Sequence, residues 1–207
     1  MELLLENINN KDYTIQHGMG SRYVFIDDFL KDEFYNKILE SYNDIKEKNL
    51  FKPYKNGNWD LHVLCYEEDS PFNFFLTQEY KKFINDIFSD IELTNNVMLE
   101  LHHHPENDKN GWIHNDYDIG NFINEPLSNG INCWYKNTKY RQKKNIPSDY
   151  ITNVRSIAII YYINPESTDW EEGDGGETGL FKTEFDSLDK PFKKIAPKSN
   201  RLAVFEI

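Results

Sequence analysis

The chain has 207 residues, enough to bury a sizeable core. Hydrophobic residues make up 39% and aromatics 15%, with 13 Tyr and 14 Phe, which is the composition of a folded chain rather than a disordered one. A net charge of −12 repels phosphate backbones, so no nucleic-acid partner is expected. From the N-terminus, MELLLENINNKD is neither a secretion signal nor a membrane span, and no membrane partner is expected. RYVFIDDFL (22–30) reads as a short apolar strand ending in a turn, with Asp28 available to cap the next element. In 31–50, Phe34, Ile38, Tyr42 and Ile45 recur at helical spacing, which predicts an amphipathic helix. Pro53 and Gly57 punctuate 51–60, a loop or hairpin. A second helix is predicted over 74–90, with Leu76, Tyr80, Ile84 and Ile87 on one side.

The period then changes. NNVMLELHHH (95–104) alternates and reads as a strand. RSIAIIYYIN (155–164), dense in β-branched and aromatic residues, reads as a buried strand, and 176–183 and 201–207 as two more. Helices first and strands later predict an α+β, mainly β domain in which N-terminal helices (22–94) buttress a β core (95–207). With no repeat or low-complexity linker, 1–207 reads as a single domain. Residues 117–154 lack periodicity, as a functional lid or a disordered insertion does. Within them, KNTKYRQKK (136–144) is a local basic patch or a solvated loop. Two cysteines, Cys65 and Cys133, without a C-x-x-C pair, point to a reduced, cytoplasmic setting.

GWIHNDYDIG (111–120) holds His114 and Asp116 two positions apart. On a strand both would project to one face, and an imidazole beside a carboxylate suits Fe(II). The alternative is a surface histidine beside a solvated aspartate in a turn. IIYYINPESTDWEEGDGGETGLF (159–181) is more specific: a Tyr-Tyr strand, a Trp-containing acidic loop, two glycines suited to positive φ, and a further strand. With APKSNRLAVFEI (196–207) and YVFIDDFL (23–30), these stretches resemble, in the correct order, the prolyl 4-hydroxylase-like branch of the Fe(II)/2-oxoglutarate-dependent dioxygenases.

The resemblance implies a double-stranded β-helix, a jelly roll of cupin type. It implies Fe(II) held by His114 and Asp116, and 2-oxoglutarate contacted by Tyr162 and Thr178, with ascorbate as a candidate reductant. It places His103 or His104 at another co-substrate position, and does not choose between them. The reaction implied is hydroxylation of an unactivated C–H of a prolyl residue, amino acid or other small molecule, with release of succinate and CO2. Substrate contacts are expected from Trp112, Trp134, Tyr135 and Arg141, with Tyr140 beside them, although these aromatics could equally pack a lid down. Tyr162 also reads as an ordinary core tyrosine. On a strand the triple histidine alternates faces, so His102 and His104 share a side; an exposed strand end accounts for it as well as a metal tract does.

The family's third iron ligand and its later basic residue come after the NRL…F strand, at positions beyond Ile207. Three expectations compete: a fragment lacking its last strands, a short form completed by a second copy through an open sheet edge, or a catalytically inactive cupin-like binding or assembly module.

Overall fold

The computed structural model describes residues 13–18, 21–54, 59–64, 66–105, 113–114, 119–123, 126–133, 150–164, 170–171, 173–183 and 185–207. Within them the fold is α+β and mainly β, with most strands paired antiparallel. No sheet closes into a barrel among the described residues. No described helix is long and apolar enough to cross a membrane. The chain divides into two units, Met1–Tyr42 with Lys109–Asp116 and Ile157–Ile207, and Asn43–Asp108 with Tyr117–Ser156.

The first unit is built on a four-stranded antiparallel sheet. Its order is β1 (Gln16–Gly18), β2 (Ser21–Ile26), β13 (Arg201–Glu206), β10 (Ile157–Tyr162). β13 is therefore an interior strand, not the open edge its terminal position suggested. Its composition explains this: Leu202, Ala203 and Val204 are fully buried, as a strand covered on both faces requires. β10 lies at the sheet's edge among the described residues and is half-buried rather than buried, with Ile159 exposed. Its dense apolar run is thus used on one edge and two faces of unequal depth.

One face of the sheet carries Tyr161, whose ring meets Phe29 at 6.0 Å and Tyr35 at 6.5 Å. Tyr35 belongs to helix α1 (Asp32–Glu47), which buries Ile38, Tyr42 and Ile45 as its periodicity predicts. Asp28 does not cap it. Asp28 is exposed, with φ of 49°, in the turn ahead of the helix, and the first-turn amides of Phe34 and Tyr35 bond to the Lys31 carbonyl.

Asn200 fastens the N-terminal segment to β13. It is buried, with φ of 58°, a conformation asparagine tolerates better than most residues. Its Oδ1 accepts from Leu30 N (2.9 Å) and from Tyr161 Oη (2.8 Å), and its Nδ2 donates to Leu30 O (2.7 Å). Its backbone accepts from Phe29 N and donates to Tyr162 O. Every polar group of this residue is matched, which is what burial demands.

The other face of the sheet meets a two-stranded antiparallel pair, β11 (Thr178–Leu180) and β12 (Lys193–Ile195). The chain leaves the first sheet at Tyr162, forms both strands of the second, and returns as β13 to pair with the strand it left. Gly175 and Gly176 ahead of β11 have φ of 84° and 78°, the left-handed conformation expected of that glycine pair.

In the second unit, β3 (Lys52–Pro53) and β4 (Asp60–Val63) pair antiparallel, so the 51–60 stretch is the hairpin alternative. β4 continues to β6 (Glu100–His103). The strand predicted over 95–104 is split, because Asn96–Val97 (β5) pairs instead with Asn132–Cys133 (β8). The helix predicted over 74–90 is also split, into a 3-10 turn (Pro71–Leu76) and α2 (Gln78–Ile87). Thr77 is the reason. It is extended (φ −101°, ψ 153°), and its Oγ1 accepts from Tyr80 N at 3.1 Å as an N-cap while donating to Phe74 O at 2.8 Å. Residues 117–154 contain structure that periodicity did not suggest: β7 (Ile119–Ile123) pairs antiparallel with β9 (Tyr150–Val154).

Candidate functional site

Alternation along β10 decides what the first unit can present. Tyr161 faces the helix, so Tyr162 faces β11 and β12. There the Tyr162 hydroxyl donates to Thr178 Oγ1 at 2.7 Å. Burial pushes the Tyr162 phenol up to about 12, against the opposing pull of the Thr178 hydrogen bond and the positive charge of Arg201. At neutral pH the phenol is protonated and remains a hydrogen-bond donor. Thr178 is opposite Ile195, which is fully buried, so this face of β11–β12 looks onto the four-stranded sheet.

Arg201 stands directly across the β10–β13 register from Tyr162. Its side chain is 7% exposed. Nε and Nη2 form a fork on Asp27, the latter at 2.8 Å, and Nη1 donates to the Ala196 carbonyl at 3.0 Å. The guanidinium lies 4.8 Å from the Phe25 ring centroid, and Lys193 Nζ lies 5.2 Å from the same ring. Two hydroxyls, of Tyr162 and Thr178, and two cationic side chains, of Arg201 and Lys193, thus come from the facing sides of these two sheets. Tyr23 and Phe192, with centroids 6.5 Å apart, join the sheets farther along. A Cβ on Gly18 would come within 2.5 Å of the Phe192 ring, so β1 approaches this wall as closely as a glycine permits.

The structure brings Tyr162 and Thr178 together. His114 is exposed and belongs to the same unit. Asp116, Trp112, Trp134, Tyr135, Tyr140 and Arg141 lie outside the described residues. His103 and His104 belong to the second unit. The His103 ring stands 5.5 Å from Phe51, on the opposite face of β6 from His102. His104 stands 5.7 Å from Trp59, which also stacks on Tyr54 and His102. Among the described residues no three His, Cys, Asp or Glu side chains are grouped to hold a metal ion. For Fe(II), the described part of the expected donor set is the His114 imidazole, exposed and of suitable chemistry. Sequence reasoning passed over Asn200, Arg201, Asp27 and Lys193. A cation heading the buried run LAVF was the available signal, since a charge at such a place needs a partner.

No protein-family model matches the chain, and no solved structure matches it.

Proposed function

We propose that this protein is an Fe(II)- and 2-oxoglutarate-dependent oxygenase of the prolyl 4-hydroxylase-like type. In this reading the two sheets of the first unit belong to a double-stranded β-helix. The observation that carries the reading is the 2.7 Å hydrogen bond between Tyr162 and Thr178. The resemblance singled out these residues separately, 16 positions apart, as contacts of one small molecule. The described parts of YVFIDDFL, IIYYIN, GETGLF and NRLAVFEI also lie in one unit, with β2, β10 and β13 adjacent. The excursion of the chain into a second sheet between β10 and β13 supports the jelly roll, whose strands alternate between two facing sheets.

The protein's own groups would act as follows. Tyr162, kept protonated by burial, would turn its one hydroxyl proton from Thr178 to the far carboxylate of 2-oxoglutarate, with the Thr178 hydroxyl then donating to the phenol oxygen. His114 and Asp116 would supply the nitrogen and oxygen donors that Fe(II) accepts, and the bound iron would supply activation of oxygen. Trp112, Trp134, Tyr135 and Arg141 would contact the substrate, a prolyl residue, amino acid or other small molecule whose C–H is hydroxylated.

The test is turnover. The chain, given Fe(II), ascorbate and 2-oxoglutarate in air, should release succinate. His114→Ala should abolish the release, and Tyr162→Phe should raise the 2-oxoglutarate concentration for half-maximal rate by roughly tenfold, the loss of one hydrogen bond to a charged group. Specific 2-oxoglutarate binding without succinate would favour a binding module instead.

A further inference from the structure

The end of β6, in the second unit, gathers metal-ligating side chains that the reading above does not assign to iron. Glu100, His102 and His104 follow one another at intervals of two, so on a strand they project to one face. Glu100 Oε2 lies 3.5 Å from His102 Nε2. Two donors on a tetrahedral Zn2+ with bonds of about 2.0–2.2 Å stand about 3.4 Å apart, so this pair already has the spacing of two ligands of one ion. The other carboxylate oxygen, Oε1, is buried and accepts no hydrogen bond among the described residues, on a side chain 17% exposed. An anionic oxygen so placed is a cost that a cation relieves. The third side chain stands slightly off, and the three are not grouped round one point as they are. The His104 ring centroid is 6.3 Å from that of His102. Two imidazoles on one tetrahedral Zn2+ have centroids about 5 Å apart, so a ring movement on the order of 1 Å brings His104 to the ion. Trp59 steadies both rings, its centroid 5.7 Å from each, and is itself stacked on Tyr54 at 5.2 Å.

We infer that Glu100, His102 and His104 form a Zn2+ site, with one carboxylate oxygen and two imidazole nitrogens as ligands and the fourth position left to solvent. The donor set selects the metal. Zn2+ accepts mixed nitrogen and oxygen ligands in tetrahedral geometry, whereas Ca2+ and Mg2+ take oxygen and do not suit a pair of imidazoles. The net charge of −12 favours the approach of a divalent cation. His103 takes no part, because it points to the opposite face of β6, beside Phe51. The competing account is an ordinary His102–Glu100 contact at an exposed strand end, which needs neither a metal nor His104. The inference does not rest on the oxygenase reading, whose expected iron ligands are His114 and Asp116.

The experiment is competition for Zn2+ between the full chain and a chromophoric chelator. It is done in a His114→Ala, Asp116→Ala background, so that the expected iron ligands contribute nothing. One equivalent of Zn2+ should bind. His102→Ala and His104→Ala should each weaken it by at least roughly tenfold, since even a group that only orients a metal ligand is worth that much. Glu100→Gln, which keeps the shape and removes the charge, should do the same, and His103→Ala should change nothing. His102 and His104 are exposed, so alanine at either position leaves the protein folded. A second readout is local. Cu2+ binds the same kind of donors and quenches a neighbouring indole, so it should quench part of the tryptophan emission in this background, and Trp59→Phe should remove that part. No Zn2+ binding in the background protein overturns the inference. Unchanged affinity in His102→Ala or in His104→Ala overturns it in favour of the ordinary histidine–glutamate contact. Equal weakening in His103→Ala, or quenching undiminished in Trp59→Phe, also overturns it, by showing that the cation sits elsewhere.

Discussion

Replacing Asn200 by alanine removes one side chain and disturbs three other groups. Leu30 loses partners for both its N–H and its C=O, and Tyr161 loses the acceptor of its hydroxyl. Leu30 is 3% exposed, so water does not easily replace what is lost there. A buried backbone group left unmatched costs about 1–3 kcal/mol, while the part-buried Tyr161 hydroxyl costs less. Alanine must also hold the left-handed φ of 58°, at about 1 kcal/mol. The expected loss is therefore about 3–5 kcal/mol, a large share of the roughly 5–15 kcal/mol that stabilises an ordinary domain. In a chain of this size it should lower the melting temperature by roughly 10 °C. The assay is urea denaturation followed by tyrosine and tryptophan fluorescence, with calorimetry as the second probe. Asn200→Gly separates the contributions: it loses the same hydrogen bonds but accepts the backbone conformation, so it should be less destabilised than alanine by about 1 kcal/mol. A loss under about 1 kcal/mol in Asn200→Ala would refute the view that this residue fastens the N-terminal segment to β13.

Thr77→Ala should cost about 1 kcal/mol by removing the N-cap of α2, and should reduce far-ultraviolet helical signal at intermediate urea before the remaining structure melts. Tyr162 predicts a dependence on alkaline pH. Its folded pKa of about 12 lies above the ordinary tyrosine value of 10, so the unfolded chain loses this proton first as pH rises. The stabilisation it represents is intact below pH 10 and is lost as pH climbs from 10 through 12, an effect on the order of 2 kcal/mol. Tyr162→Phe should flatten that part of the stability curve, though not all of it, because burial raises the Tyr80 phenol in the same direction. An unchanged curve between pH 10 and 12 in Tyr162→Phe would contradict the buried, protonated phenol.

Residues with a strong local period were legible from sequence. The buried faces of both helices follow from apolar spacing, because burial selects one side of an element, while Pro53 and Gly57 left 51–60 open between a loop and the hairpin that forms. Boundaries set by a single polar side chain were not. Thr77 ends one helical turn and starts another within a run of apolar residues, and its hydroxyl, not the run, decides where α2 begins. Strand pairing between distant segments was equally hidden. Nothing in LAVF says that it will lie between β2 and β10, and nothing in 117–154 says that Ile119–Ile123 will find Tyr150–Val154. Within the candidate site, Tyr162 and Thr178 were legible through the resemblance. Arg201, Lys193 and Asp27 became visible only once the register had placed Arg201 across from Tyr162 and Asp27 beneath its guanidinium. The histidines of 102–104 show the opposite case. A metal tract by composition, they form a strand end in which His102 and His104 are exposed beside Trp59 and His103 lies beside Phe51.

The most direct test of the central claim is an anaerobic titration of the protein with Fe(II) and then 2-oxoglutarate, watched in the visible for the metal-to-ligand charge-transfer band of chelated keto acid. The oxygenase reading predicts a band that saturates with one equivalent of iron, disappears in His114→Ala and Asp116→Ala, and needs more 2-oxoglutarate in Tyr162→Phe. No band in the wild-type protein, or a band that survives both His114→Ala and Asp116→Ala, would contradict it.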